Sequence, residues 1–454
     1  MTERITSPEH FTPIDIVLNS ERFSIPIVLH SHGSTGSVVE YNIYEDITKP
    51  YLTGNIIILD DNDLFQLADL NGTEKLTISY ELATGESEAI EKTFYITSIE
   101  NPVKINDYSS MIKMNFIEDI GWYNQLIATS KAYQGKGEEI INTLITEDLK
   151  ATLTNKGISS HQTAFRYINP YLTPFEAVNN ILLKMTTPTG LPFFLYSSIS
   201  SDDLVLKDLE TILRTAPFNA GNPFTYSQAT TNERTGSIEN QLATIYNYEG
   251  GLLENTLQML ISGGVGSSYN NLNITTGQID GQRVDITSTI RALVEQSIID
   301  ANHSVPLVDL EFLADPSDND SRRLNQFDTT RYYQISSDNF PYDTNLNSYS
   351  SESNFSDYSL RAVRNGILAN LTKNMYTIYV PGMLFSAKNE ATSVGNQIEV
   401  RVLKNEPSIE TGAVDHKRSG NYIILAKRHK FDVVATTHNV SMQIGRITNA
   451  QVQR

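Results

Sequence analysis

Histidine pairs, acidic runs and glycine-rich turns are the features of this 454-residue chain whose residue types and spacing could support chemistry. His30 and His32 are two residues apart, so in a strand both could face one metal ion, but no third ligand follows nearby. Residues 60–63 (Asp-Asp-Asn-Asp) are as acidic as a calcium loop but lack its glycine and its distal glutamate. We therefore predict polar turns at both places, the second one leading into a helix over 64–70.

Residues 263–268 (Gly-Gly-Val-Gly-Ser-Ser) resemble a phosphate-binding loop only in composition, since the lysine of a P-loop and the GxGxxG spacing are missing. A mobile or tightly turned loop is expected instead. His416 and His429 belong to one C-terminal module, where we expect adjacent strands to carry them and their role to be structural or at an interface. There is no GxSxG and no HExxH, and the 53 acidic residues single out no carboxylate pair. We predict no catalytic, cofactor-binding or metal-binding residue and no enzyme activity.

The charge balance limits the classes of partner. The formal net charge is −19, from 34 basic and 53 acidic residues, and such a surface repels phosphate, which argues against a nucleic-acid-binding protein. The basic residues over 416–430 form either a solvated strand face or a contact for an acidic protein. The chain has no cysteine, so it has no disulfide or thiolate site, which is compatible with assembly in a reducing cytoplasm. Neither a transmembrane helix nor a secretory signal is expected.

The elements that position these residues are mostly strands at first. Over 13–120, short alternating apolar and polar stretches separated by Gly, Asn and Asp predict a β-barrel. Pro26 restricts its strand to a sheet edge or a bulge. From 121 the apolar period becomes helical, over 140–149 and in a helix that begins after Thr173. Pro174 follows this cap and Glu176 completes a capping box.

The second half of the chain mixes signals. A strand is predicted over 244–253, an amphipathic helix over 286–299 and another helix over 359–371, whereas 252–261 fits either a strand or a helix. The polar stretch 314–357 is predicted to be either a long surface excursion or a domain linker, and its tyrosines can anchor a protein contact. Strands over 397–402, 421–431 and 431–447 cannot stand as an open ribbon, so they must close into a barrel or pair with other strands.

Several stretches of the sequence, taken together, resemble those of a known protein family. Their order along the chain carries more of this resemblance than any single motif does. The stretches are 54–63, 169–177, 245–251, 255–257, 261–264, 359–371, 380–382, 394–400, 415–424 and 429–431. In this order they resemble the central baseplate hub protein of contractile-tailed bacteriophages of the T-even type, and the likeness covers most of the chain.

The resemblance implies a fold class and a domain plan. The chain is expected to be α+β and β-dominated, with two β-barrel tube domains, a mixed α+β module and a polar insertion. The second tube domain is expected to be discontinuous. The implied boundaries are 1–120 for the first tube domain, 121–238 for the α+β peripheral domain, 239–290 with 356–447 for the second tube domain, 291–355 for the inserted helix and polar loop, and 448–454 for a C-terminal tail.

The resemblance also implies a structural function without a cofactor. Such hubs are homotrimeric rings that adapt a hexameric tail tube to a trimeric central spike, among baseplate wedge proteins in the virion, after assembly in the host cytoplasm. Genomic DNA passes through the channel without specific binding, and we expect part of the negative charge to line it; no membrane is involved. A phage-derived injection machine is a close variant. The alternatives are a receptor- or glycan-binding tail module with exposed aromatic platforms, or a cell-wall hydrolase with two carboxylates in a cleft.

Overall fold

The computed structural model is β-dominated, with one large sheet that is mainly antiparallel and few helices. It therefore has the α+β, β-dominated character predicted from the sequence. It describes residues 7–32, 36–82, 89–155, 164–226, 241–250, 256–273, 277, 279–299, 305–306, 311–313, 321–323, 330–336, 351–373, 375–404, 414–415 and 417–449. Within these residues no helix is long and apolar enough to cross a membrane.

Alternating apolar residues build the first eight strands. The elements are β1 (Phe11–Asn19), β2 (Ile27–Ser31), β3 (Val38–Asp46), β4 (Thr53–Asp60), α1 (Leu64–Leu67), β5 (Lys75–Leu82), β6 (Ile90–Ile99), β7 (Val103–Lys104) and β8 (Ser110–Glu118). In β4 every second residue is buried, the pattern of a strand with one face on a core. β2 begins directly after Pro26 and, among the described strands, pairs with β1 alone, as expected of a proline-restricted edge.

The next segment alternates helices with short strands. It contains α2 (Asp119–Leu126), β9 (Ala132–Lys136), α3 (Gly137–Thr143), a π-helical turn (Leu144–Asp148), β10 (Leu153–Asn155), β11 (Ala164–Ile168), α4 (Pro174–Leu182), β12 (Phe193–Tyr196), β13 (Leu204–Asp208), α5 (Leu209–Arg214) and β14 (Phe224–Tyr226). The predicted capping box is present, since the Glu176 carboxylate accepts from Thr173 N at 3.0 Å and Glu176 N donates to Thr173 Oγ1 at 3.4 Å.

The third segment corrects part of the sequence prediction. It contains β15 (Asn247–Gly250), α6 (Thr256–Ile261), β16 (Gly266–Asn273), β17 (Ile279–Asp285), α7 (Ile286–Glu295), β18 (Val305–Pro306), β19 (Glu311–Leu313), β20 (Ser321–Arg323), β21 (Thr330–Ser336) and α8 (Ser351–Lys373). The stretch of undecided type thus ends as helix α6. β21 pairs in parallel with β16, so this part of the predicted surface excursion is a strand of a three-stranded sheet.

The C-terminal segment supplies the remaining strands. They are β22 (Tyr376–Pro381), β23 (Gln397–Val402), β24 (Gly420–Asp432), β25 (Thr437–Gly445) and β26 (Thr448–Asn449), with short 3-10 helices at Met383–Phe385 and Glu390–Thr392. The strand predicted over 431–447 begins instead at Thr437, because Phe431 still belongs to β24, which ends at Asp432, and a turn follows in which Thr436 has φ of 51°.

One 14-stranded sheet joins both ends of the chain. Its order is β15-β22-β25-β24-β3-β4-β8-β6-β5-β1-β2, with β7 on β8 and with β23 linking β24 to β14. The joint is the antiparallel pair β24–β3, in which Lys427 lies opposite Glu45. No pairing among the described strands closes this sheet into a barrel. A backbone hydrogen bond of 2.8 Å nevertheless runs from Ser37, which precedes β3, to the Leu29 carbonyl in β2.

Buried apolar side chains gather in three large clusters. The first is formed by strands β1–β6 and β8 and also contains Phe431 and Val433 from the C-terminal segment. The second combines residues of β22–β25 with α7 and α8, and the third lies in the α+β segment around α3, α4, β12 and β13. The C-terminal strands therefore contribute to the core of the N-terminal ones. The domain boundaries themselves stay predictions.

Candidate functional site

A group of buried charged and polar side chains lies at the joint between the two ends of the chain. We call it the seam cluster, and its members are Glu45, Ser386, Lys427, His429 and His438. Each residue is at most 3% exposed. On β24 the period of two puts Lys427 and His429 on the same buried face as Phe431, whereas Arg428 between them is exposed.

Glu45 and Lys427 form a buried ion pair across the joint. Lys427 Nζ lies 3.1 Å from Glu45 Oε2, and His429 Nε2 lies 3.1 Å from Glu45 Oε1. Ser198 Oγ and Ile199 N, each at 3.3 Å, add two more donors to the carboxylate. Burial acts to raise the pKa of Glu45, but the charge of Lys427 and the hydrogen bond from His429 outweigh it and hold this pKa well below its ordinary value. Glu45 is therefore ionised at neutral pH.

The two histidines extend this pair into a hydrogen-bonded series. His429 Nδ1 lies 3.1 Å from His438 Nε2, and His438 Nδ1 lies 2.8 Å from Ser386 Oγ. Burial lowers the pKa of both imidazoles and thus favours their neutral forms. With both rings neutral and Glu45 ionised, each ring donates toward Glu45, because a carboxylate only accepts. His438 Nδ1 is then left as an acceptor beside Ser386 Oγ, whose hydroxyl also has the Gly382 carbonyl as an acceptor at 3.1 Å.

A serine hydroxyl beside a histidine is the beginning of a nucleophile–base pair, so access decides what this series can do. Ser386, His429 and His438 are all 0% exposed. A cavity of about 280 Å³ is lined by Glu45 and Lys427 but by none of these three residues. A nucleophile that cannot meet a substrate does no chemistry. The geometry therefore favours a structural role, in which the series ties β3, β24 and β25 together.

Aromatic rings continue the joint into the N-terminal core. Phe431 stacks on Tyr41 with ring centroids 4.5 Å apart and on His438 at 4.0 Å. Its ring centroid also lies 4.7 Å from that of Tyr80 and 5.0 Å from that of Phe11. Since such pairs add to the burial of their large apolar area, the joint is a packed interface as well as a backbone pairing.

A second site is an acidic cavity of about 530 Å³. It is lined by four carboxylates, those of Glu118, Asp119, Asp148 and Asp202. Burial raises the pKa of Glu118, although Lys92 and the backbone N–H of Leu52 oppose this. Lys92 Nζ lies 3.2 Å from Asp202 and 4.0 Å from Glu118. A buried carboxyl group with a raised pKa near other carboxylates meets one requirement of a glycosidase acid.

A third feature is a hairpin that exposes apolar side chains, which we call the apolar hairpin (residues 103–111). Val103, Ile105, Tyr108 and Met111 are each at least 37% exposed. Val103 pairs with Met111 across β7 and β8. The turn is ordered by Asn106, whose Oδ1 accepts from Tyr108 N at 2.8 Å. Clustered apolar side chains on an ordered surface element are typical of a protein-contact surface.

The structure places the histidine pair and the acidic run as follows. His30 lies within β2 rather than in a turn, and burial lowers its pKa. No group of three or more His, Asp or Glu side chains among the described residues could hold a metal ion. Asp60 Oδ1 accepts from Leu64 N at 2.8 Å, so the acidic run leads into α1 as predicted. The helix ends at Leu67 rather than at residue 70.

The glycine-rich run and the C-terminal histidines need correction. Gly263 has φ of 73° and makes the expected tight turn, but residues 266–268 already belong to β16. His416 lies outside the described residues, and the histidine beside His429 is His438. The interpretation of 416–430 as a solvated face is wrong for Lys427 and His429.

Part of the seam cluster had a usable signal in the sequence. Phe431 is apolar, and the period of two puts His429 and Lys427 on its face of the strand, where burial is expected. Glu45 carries the same signal on β3, where the period of two puts it on the face of Tyr41 and Ile43. Ser386 lies outside the strands and carries no such signal. The tyrosines that could support a receptor-binding module are only partly described: Tyr332 packs against the second apolar cluster, whereas Tyr333 is exposed.

Comparison with known proteins gives structural matches only. No family model and no curated protein matches the chain. A tail protein from Neisseria meningitidis is 12% identical at a TM-score of 0.49, covering 96% of this chain and 97% of that one. A 43 kDa prophage tail protein from Shewanella oneidensis is 9% identical at a TM-score of 0.49, covering 95% and 98%. A type VI secretion system component of E. coli is 7% identical at a TM-score of 0.41, covering 93% and 75%.

The E. coli protein is described as similar in structure to T4 bacteriophage tail proteins. These matches are thus tail and secretion-system proteins. Identities of 12% or less and TM-scores below 0.5 carry no argument about what this chain does.

Proposed function

We propose that the chain is a structural tail protein of a contractile phage, the central hub of the baseplate, and that it acts as a homotrimer in the virion. The observation that carries this proposal is the 14-stranded sheet, which joins an N-terminal and a C-terminal set of strands edge to edge through β3 and β24. A hub subunit needs two β-sheet domains side by side, because three such subunits then present six similar domains to a hexameric tube.

The path of the N-terminal strands supports a tube domain. The N-terminal strands follow the order β3-β4-β8-β6-β5-β1-β2 in the sheet. The first and last strands of this path, β3 and β2, are consecutive in sequence. A hydrogen bond from Ser37 N, just before β3, to the Leu29 carbonyl in β2 holds them close together. The second edge of β3 is occupied by β24 from Glu40 to Asp46, so this contact lies just before β3 and brings the last strand of the path back beside the first. The interior is already filled by the first apolar cluster.

The subunit contacts of the ring would use the remaining edge and the apolar hairpin. β15 ends the sheet at Asn247–Gly250, and on its outer side no described strand pairs with it. A neighbouring subunit can cover both surfaces in a closed ring. The tube protein, the spike and the wedge proteins would then dock on the ring. The net charge of −19 supports a channel that lets DNA pass without holding it.

Light scattering across a concentration series tests this proposal. A trimer has a mass of about 152 kDa, three times the 50.8 kDa of one chain. Val103→Lys and Tyr108→Ser should shift the equilibrium toward monomers. The control is Leu67→Ser, which changes an apolar side chain in α1 whose exposed fraction lies between those of Val103 and Tyr108, and it should leave the mass unchanged. A chain that stays monomeric at every concentration and shows no ring by electron microscopy would contradict the proposal.

A second candidate function, a tail-associated cell-wall hydrolase, is favoured by the acidic cavity. Glu118, with its raised pKa, would be the general acid. Purified chain incubated with peptidoglycan should then release soluble fragments, and Glu118→Gln should abolish that release. If the wild type and Glu118→Gln released equal amounts of soluble fragments, or if neither released any, the hydrolase function would be refuted.

A further inference from the structure

Arg446 is a buried cation without a carboxylate partner within the described part of the chain. The residue is 3% exposed, and its Nε has no hydrogen-bond partner there. Nη1 donates to the Ser419 carbonyl at 3.0 Å, and Nη2 donates to the Lys417 carbonyl. The guanidinium carbon lies 4.7 Å from the centre of the Tyr422 ring. Carbonyl dipoles and a ring face stabilise the charge but do not neutralise it.

Arginine has no chemical way to avoid this situation. A buried lysine or histidine can lose its proton, whereas a guanidinium stays charged at every pH at which the protein is folded. A buried charge is tolerated when an opposite charge pairs with it. Arg446 uses two of the five N–H donors of a guanidinium on backbone carbonyls, so three remain for an anion.

Arg446 also lines a cavity of about 310 Å³. The walls carry the apolar side chains of Ile298, Ile299, Ile423 and Ile447, and the polar ones of Asn421 and Thr448. Arg214 lines the cavity as well, but its Nη2 lies 2.9 Å from the Glu210 carboxylate, which neutralises it. Thr215, Ser297 and Gln397 complete the polar part of the lining. The cavity therefore combines apolar walls, a polar rim and one cation that has no carboxylate partner among the described residues.

We propose that this cavity binds a carboxylate on a short apolar stem, with Arg446 pairing the carboxylate and the isoleucines enclosing the stem. A phosphate dianion fits less well, because it brings more charge than one guanidinium balances. The carboxylate can belong to a small organic acid or to an acidic side chain of a second copy of the chain. The proposal is independent of whether the ring is trimeric.

Isothermal titration calorimetry of the full chain with butanoate, at constant ionic strength, tests this site. Butanoate should bind saturably, and butanamide, its neutral isostere, should bind at least tenfold more weakly. Arg446→Gln should weaken butanoate binding at least tenfold. The matched control Arg22→Gln, which removes an ion-paired arginine that does not line this cavity, should stay within twofold of the wild type. Equal affinity for butanoate and butanamide, no butanoate binding at all, or full binding by Arg446→Gln would overturn the proposal.

A second variant covers the case in which Arg446→Gln does not fold. Ala216 lies on the exposed side of the cavity wall. Ala216→Phe keeps Arg446 and narrows the space, so it should also weaken butanoate binding; undiminished binding would contradict the site. Light scattering with added butanoate distinguishes the two possible sources of the carboxylate, a small organic acid and an acidic side chain of a second copy. An unchanged mass indicates a small-molecule ligand, and a falling mass indicates an acidic group of a second copy.

Discussion

Replacing Lys427 by methionine should destabilise the protein far more than an ordinary charge deletion. Methionine fills most of the same volume, so the change removes the ammonium and leaves the Glu45 carboxylate, 1% exposed, with neutral partners only. Breaking a buried pair on one side costs about 3–5 kcal/mol, because an uncompensated charge stays behind. We expect a loss of unfolding free energy in that range.

The same two strands supply a matched control. Lys430 Nζ lies 3.1 Å from Glu40 Oε2, but the Lys430 side chain is 45% exposed. Such an exposed pair contributes about 0–1 kcal/mol, so Lys430→Met should change stability by no more than that. The two substitutions have the same chemistry on the same strand, and only their burial differs.

Urea unfolding monitored by the fluorescence of Trp122, the single tryptophan, and by circular dichroism measures both variants. The double variant Glu45→Gln with Lys427→Met removes both charges, so it should be more stable than Lys427→Met alone. The reasoning would be refuted if Lys427→Met cost less than about 1 kcal/mol, as its exposed control does. A double variant less stable than either single one would refute it as well.

Two further predictions concern pH and backbone packing. Because burial lowers the pKa of His429 and His438 below 6.5, the unfolded chain takes up protons first. Stability should therefore be complete above pH 6.5 and fall on acidification, by up to about 2.7 kcal/mol per pH unit for the two groups; an unchanged urea midpoint from pH 8 to pH 5.5 would contradict this. Gly54→Ala should lower the unfolding free energy by about 1–3 kcal/mol, because the added methyl group would clash with the Asn42 carbonyl oxygen. Its urea midpoint measures the loss, and a midpoint equal to that of the wild type would show that the strand moves apart without cost.

Local patterns accounted for many of the elements. The alternation over 13–120 predicted most of the N-terminal strands, because every second residue of a strand with one buried face must be apolar. The capping box of Thr173 and Glu176 predicted the start of α4, because the capping residues of a helix are adjacent to it in sequence. Boundaries were less accurate where a turn interrupts an apolar run, as between Phe431 and Thr437.

The sequence by itself determined the β-dominated character, the absence of cysteine chemistry and the acidic surface, because these depend on composition and on contacts between near neighbours. Only the tertiary structure decided that β3 pairs with β24, that Glu45 meets Lys427 and His429, and that Arg446 lines a cavity. Such contacts join residues from distant parts of the chain. The pattern around either residue alone does not encode its partner, since many strands share the same period of two and only the packing of the whole core selects among them.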